Sequence, residues 1–251
     1  MKKVMMVAVL VLGLVLMSMP ALALELGANI TIWDGYNEYN SGWYGPQEDN
    51  EVEYQSVTGQ EWDLEGFFLN GNILTMVGGF NFESGQISWD DHIYTSGDIF
   101  FDIDADDDYE YALQLDFTAT STSFEVYSVE TSGTLNSPTY KTTSSPWTYT
   151  PYESQTVYSK GSFTYRTGLA DSDVANLQHD TDIATHNAVA IDLGLTEIDF
   201  SKGFTSHFTV ECGNDNLMGA SPVPEPQTLL LMGIGLLGLA FVGRKKLGDR
   251  A

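Results

Sequence analysis

The sequence predicts an all-β fold, an antiparallel two-sheet sandwich of jelly-roll type, and three observations carry that expectation. From Glu25 to about Val210, aromatic and β-branched runs alternate with clusters of Gly, Asn, Asp and Ser, the punctuation of strands and turns. Tyr109, Tyr111, Leu113, Leu115 and Phe117 alternate with Glu110, Ala112, Gln114 and Asp116, and period two with one apolar face marks a half-buried strand. Helical periodicity is weak throughout, and many strands without intervening helices favour packed antiparallel sheets.

A first strand is expected over Asn29–Trp33, followed by a loop rich in Gly, Tyr and Asn up to Glu51. Gly66–Leu69 and Ile73–Phe80 flank Asn70-Gly71, a dipeptide that favours the positive φ of a two-residue hairpin turn. Asp98–Ile103 and Tyr109–Phe117 flank an acidic loop. Further strands are expected over Phe124–Val129, Gln155–Tyr158, Phe163–Tyr165, Ala188–Leu193 and Thr205–Glu211. One short helix is expected over Asp171–Leu177, capped by Asp171 or Ser172. The stretch from Thr131 to Thr156, rich in Ser, Thr, Pro and Tyr, reads as a long surface loop.

Both ends of the chain read as addressing signals. Met1-Lys2-Lys3, an apolar stretch from Val4 to Met17 and Ala21-Leu22-Ala23 follow the order of a cleavable signal peptide. The apolar run has 14 residues, fewer than the ~18–20 of a spanning helix. The expected organisation is a signal peptide over 1–23, removed by signal peptidase, a passenger domain over 24–221 and a sorting segment over 222–251. The passenger holds 33 acidic residues against Lys141, Lys160, Arg166 and Lys202, a net charge of −29. Such a surface repels nucleic acid and anionic lipid. It attracts divalent cations or basic partners, or simply keeps an exported protein soluble by self-repulsion. Cys212 is the only cysteine, so no intrachain disulfide forms; it is either a small buried apolar residue or, on the sharper reading, a link to a second chain or a reactive thiol.

In the C-terminal segment, Pro222-Val223-Pro224-Glu225-Pro226 precedes an uncharged stretch over 227–243 and a basic tail over 244–251 that opens with Arg244, Lys245 and Lys246. The prolines hold the chain extended and accessible. The apolar run, ~17 residues at 1.5 Å each, spans roughly 25 Å of bilayer. The basic cluster stops transfer and stays cytoplasmic, which leaves the acidic domain outside. Gly233, Gly235 and Gly238 match G-x-G-x-x-G, but no strand precedes them and no acid follows at the required distance. They are small residues of a membrane helix.

The motif Val223-Pro224-Glu225-Pro226, the Gly-rich apolar stretch and the terminal Arg/Lys cluster resemble the PEP-CTERM sorting signal of Gram-negative bacteria. Gln227 departs from the commoner Ser or Ala. The resemblance implies recognition by an exosortase, a membrane-embedded cysteine protease-transpeptidase, and association with exopolysaccharide and biofilm matrix. It also implies a membrane-anchored precursor that passes to the cell surface or the extracellular matrix. Two passenger segments, Gly97-Asp98-Ile99-Phe100-Phe101-Asp102 and His207-Phe208-Thr209-Val210-Glu211-Cys212-Gly213-Asn214-Asp215-Asn216, are similar to those of other PEP-CTERM passengers, a resemblance that implies no activity.

The feature richest in chemistry is Asp102-Ile103-Asp104-Ala105-Asp106-Asp107-Asp108-Tyr109-Glu110. Acids at alternate positions let a turning loop aim Asp102, Asp104, Asp106, Asp108 and Glu110 at one point, and Ca²⁺, with 6–8 oxygen ligands in a forgiving geometry, suits them. Asp107 and Leu113 stand where an EF-hand needs Gly and Glu, so the loop is not one. The other reading is a solvated acidic turn. His92, His179, His186 and His207 show no metal-binding spacing, no G-x-S-x-G marks a nucleophile, and no motif singles out a pair of acids. A non-enzymatic structural or adhesive role is therefore expected, with a polysaccharide hydrolase or carbohydrate-binding module as the alternative. For sugar contact the sequence offers loop aromatics, Trp43, Tyr44, Trp147 and Tyr149, which otherwise pack as minor cores.

Overall fold

The computed structural model describes residues 24–32, 36–37, 42–43, 56–57, 59–118, 121–174 and 185–221. The expected signal peptide and sorting segment lie outside the described residues, as do Tyr44 and His179.

The first segment carries β1 (Ala28–Asn29) and β2 (Thr31–Ile32) on either side of Ile30, and β3 (Tyr36–Asn37) pairs with β4 (Gly42–Trp43). β5 (Leu64–Asn70) and β6 (Ile73–Gly78) form the expected hairpin with one correction. Asn70 pairs with Ile73, so the central residues are Gly71 and Asn72. Gly71 alone of the two has positive φ, 60°, the requirement of a II′ turn. A short hairpin of β7 (Gln86–Ile87) and β8 (Ile93–Tyr94) follows, which the sequence did not suggest.

β9 (Ile99–Asp102), β10 (Tyr111–Thr118) and β11 (Ser121–Ser128) then meander. The expected loop over 131–156 contains its own hairpin, β12 (Thr134–Asn136) with β13 (Thr148–Thr150). No strand forms over 155–158; the chain enters β14 (Ser159–Leu169) just beyond. At 171–173 there is a single 3₁₀ turn where a helix was expected, the remainder of that stretch lying outside the described residues. β15 (His186–Asp192), β16 (Phe204–Thr209) and β17 (Asn216–Ser221) complete the domain.

The fold is all-β and antiparallel as expected. In place of the two sheets of a jelly-roll sandwich, however, its main strands form one continuous sheet that returns on itself, because the segment over 28–32 pairs at both of its ends. The order is β1-β5-β6-β15-β14-β11-β10-β9-β16-β17-β2, and β1 and β2 belong to the same segment. Ala28 and Asn29 pair with Leu69 and Phe68 on one side, whereas Thr31 and Ile32 pair with Gly219 and Met218 on the other. Ile30 joins both walls: its N–H donates to Phe67 O at 2.9 Å and its carbonyl accepts from Ala220 N at 2.8 Å. The hydroxyl of Thr31 adds bonds to the N–H and carbonyl of Phe67. Closure leaves neither end of the sheet as an open edge, and an open edge is a pairing hazard.

Period two sorts the side chains. Phe67, Leu74, Met76, Phe101, Leu113, Phe124, Val126, Val189, Ile191 and Phe208 fill the inside. Their chain neighbours Phe68, Val77 and Ala188 face outward, where Leu26, Leu169 and Val174 cover them. Phe100, Ala112 and Tyr127 are covered by Tyr149 from the β12–β13 arm. Strands buried on both faces read as apolar runs rather than as alternation, which is why Gly66–Leu69 and Ile99–Phe101 look continuous. Each such aromatic contributes about 1.5–3 kcal/mol by leaving water. Gly161 pairs with Phe124 across β11 and β14, and a Cβ there would lie 2.3 Å from the Phe124 ring.

Candidate metal centre

The acidic loop joins β9 to β10, whose last register pair is Phe101 with Tyr111. Asp102, the final residue of β9, is 6 % exposed, and its carboxylate organises the turn. Oδ1 accepts from the N–H groups of Asp104 at 3.2 Å and Ala105 at 2.7 Å, and Oδ2 accepts from that of Asp107 at 3.3 Å. Ala105 and Asp107 sit at φ of 63° and 70°, left-handed conformations that double the loop back. From the far end of the loop, just before β10, Glu110 Oε2 accepts the Ile103 N–H at 2.8 Å.

Asp102, Asp104, Asp106 and Glu110 thereby each offer an oxygen within 4.8 Å of the others. Ca²⁺ binds oxygens at 2.3–2.6 Å, so ligands on opposite sides of one ion stand about 4.6–5.2 Å apart, and the cluster fits one coordination sphere. Of the five acids singled out in the sequence, Asp108 is not in this group; its N–H caps Asp106 Oδ1 at 3.0 Å. The electrostatics match the crowding. Burial first, then the charges of Asp104, Asp102 and Asp106, pushes the Glu110 carboxyl up. Desolvation and the charges of Asp106 and Asp102 push Asp104 up likewise. A cation relieves that repulsion and favours the ionised forms.

Of the two arm aromatics expected to contact sugar, Tyr149 is buried and Trp147 half-buried. Tyr149 is 2 % exposed, packs against Tyr127 and bonds Glu130 N and Gln155 Oε1 through its hydroxyl. Trp147 is half-buried, its indole N–H donating to Ser96 O at 3.2 Å. Both belong to an arm that folds back on the outer face of the barrel. Buried Asp98 docks it by accepting from Tyr149 N at 2.7 Å and Gln114 Nε2 at 3.1 Å, and burial pushes its carboxyl up to about 6. The side chain of Trp43 is outside the described residues.

A second polar cluster escaped the sequence reading. The His186 ring is fully buried between Glu65, also fully buried and 2.7 Å from Nδ1, and Asp171, 3.1 Å from Nε2. Gln60 adds a bond to Glu65. Burial opposes the charged imidazole, but the two carboxylates outweigh it and the His186 pKa is raised. Both ring nitrogens are engaged by carboxylates, so this is a structural ion network. His207 is the opposite case: burial lowers it to about 4, and Nε2 meets Pro146 O at 2.8 Å. In the segment over 207–216, Asn214 bonds the main chain of Val57 and Asp215 accepts the Leu64 N–H at 2.6 Å, so its polar residues tie loops to the barrel.

Among the described residues no helix is long and apolar enough to cross a membrane, and the residues expected to do so lie beyond them. There the family described as the PEP-CTERM protein-sorting motif matches residues 222–246. The match includes Val223, Pro224, Glu225 and Pro226 and the Arg244, Lys245 and Lys246 cluster. No curated protein and no solved structure matches the chain significantly. The chain is thus an exported protein with a membrane-anchored precursor, of the class delivered by a C-terminal sorting signal. Residues 222–246 carry the PEP-CTERM sorting motif, which marks the chain as a substrate of an exosortase.

Proposed function

We propose that this chain is a structural or adhesive protein of the cell surface or extracellular matrix, without catalytic activity, whose barrel is stabilised by Ca²⁺ at the β9–β10 loop. Signal peptidase removes 1–23, the passenger over 24–221 folds outside, and the exosortase acts at 223–226. The observation that carries the Ca²⁺ reading is the convergence of four carboxylates, from Asp102, Asp104, Asp106 and Glu110, within 4.8 Å. Water and main-chain oxygens complete the 6–8 ligands that Ca²⁺ takes. The passenger charge of −29 supports a cation as partner and disfavours nucleic acid. The destination supports exopolysaccharide as the surrounding material.

Thermal unfolding tests the Ca²⁺ reading. With Kd near 10⁻⁵ M and millimolar Ca²⁺, binding to the folded state contributes about 2.7 kcal/mol, a rise in Tm of several degrees. NaCl of matched ionic strength should not reproduce it, and Asp104→Asn with Asp106→Asn should abolish it. An equal response of the wild type to Ca²⁺ and to NaCl would leave only a solvated acidic turn.

A further inference from the structure

Beside the β7–β8 hairpin lies an open groove of about 560 Å³. Trp62 and Tyr94 form its floor, meeting edge to face with ring centroids 5.8 Å apart, and Tyr140 stands against Tyr94 at 6.0 Å. Trp89, on the hairpin loop, also lines the groove. Trp89 is 94 % exposed and Tyr140 68 % exposed. Aromatic side chains supply ~150–250 Å² of buriable surface each, and two left in water around one concavity form a contact surface rather than scattered apolar residues.

Neither ring sits on a slack segment. On either side of Tyr140, the N–H groups of Thr139 and Lys141 donate to the carbonyls of Glu211 at 2.8 Å and Cys212 at 3.0 Å. Around Trp89, Ser88 N donates to His92 O at 2.9 Å, Asp91 N donates to Ser88 O at 3.2 Å, and the Ser88 hydroxyl bonds Asp90. A main chain held in place before binding lowers the cost of ordering on binding.

The rest of the lining mixes apolar Val57, Ile87 and Cys212 with polar groups, the amide of Gln86, the carboxylates of Glu61 and Asp90 and the ammonium of Lys141. Flat apolar faces interleaved with donors and acceptors match a pyranose, which has C–H faces and a rim of hydroxyls. The two carboxylates and the acidic domain behind them exclude a polyanion. We propose that the groove binds a neutral hexopyranose polysaccharide, with Trp89 and Tyr140 stacked on sugar faces and Gln86 and Asp90 bonded to hydroxyls. This gives the adhesive role proposed above its ligand class, and rests on that reading for its setting but not for its chemistry.

The full chain, in a detergent without a sugar head group, is tested by electrophoresis through gels containing neutral glucan, mannan or galactan, and by iodide quenching of tryptophan fluorescence. At least one polysaccharide should retard the wild type and shield Trp89 from iodide. Trp89→Ala and Tyr140→Ala should each weaken binding roughly tenfold or more, with unchanged circular dichroism because both rings lie outside the core, and Trp89→Phe should retain part of it. Asp104→Asn with Asp106→Asn should bind as the wild type does, so failure of the Ca²⁺ reading and failure of this one are separable. Absence of retardation by all three polymers overturns the proposal, as does binding that survives both alanine substitutions. Trp89 already shielded from iodide without ligand also overturns it, since the groove is then filled by the chain itself or by a second copy.

Discussion

In the loop between β9 and β10, four carboxylates face one another in a cluster made of carboxylates alone. At the start of β15, two carboxylates flank an imidazole that is fully buried with one of them. Both places crowd negative charge, and they resolve it differently. The buried site carries its own cation, because a lone buried Glu65 would be far too costly. The loop buries Asp102 but leaves Asp104 and Asp106 exposed and Glu110 partly so, where crowding is tolerable and an external ion has room to enter. The difference teaches where charge serves the fold and where it is held ready for something else.

The largest expected effect comes from removing the internal cation. His186→Ala leaves Glu65 buried beside an empty space and should destabilise the domain by about 3–5 kcal/mol, read by chemical denaturation. The His186 pKa is raised in the folded state. Its stabilising contribution is therefore complete below the ordinary value of 6.5 and is lost as pH rises through the raised value. A His186→Ala variant as stable as the wild type at pH 6 would erase the contrast.

Asp98 sharpens the contrast, being buried with amide partners and no cation. Its carboxyl moves from 3.8 to about 6, a difference of about two units, or ~3 kcal/mol. The raised value means that its contribution is present below 3.8 and lost as pH rises through about 6. The stability of the wild type minus that of Asp98→Asn should fall by up to that amount between pH 4 and pH 7. A difference independent of pH would show that its amide partners offset the burial.

The smallest effect carries the opposite sign. In chelator, Asp106→Asn removes one of four mutually repelling carboxylates and should stabilise the domain, by roughly 0.5–1 kcal/mol for an exposed pair. Destabilisation in chelator would mean that the loop, like the core, uses its acids for structure.

The loop was legible in the sequence because everything that builds it is local. Asp102, Asp104, Asp106 and Glu110 fall within nine residues, and the alternation from Tyr109 to Phe117 announces the strand that begins just after the last of them. The His186 network was not legible, because register assembles it. β15 lies between β6 and β14, and the pairing of β5 with β6 slips between Leu64 and Gly66, around Glu65. A second slip, between Arg166 and Leu169, precedes the pair Leu169 with His186. Bulges re-aim side chains and leave no periodic trace. Ring closure was hidden for the same reason: two halves of a five-residue segment pair with partners far along the chain. The strand over Asn216–Ser221 was missed because Gly219, Ala220 and Ser221 carry little of the aromatic and β-branched signal.

The seam of that ring has a mechanical consequence. Thr31 pairs with Gly219, so a chain threaded outward from its N-terminal side can mate β1 with β5 early but must hold β2 unmated until nearly the whole passenger has crossed. Contacts so distant in sequence form late, and the cylinder latches only when Ser221 is out. The sorting motif begins at the next residue, 222. While the tail remains in the membrane, any tension on it is delivered to the strand that mates with β2. Latch and leash are thus the same strand, and cutting the tail unloads the latch.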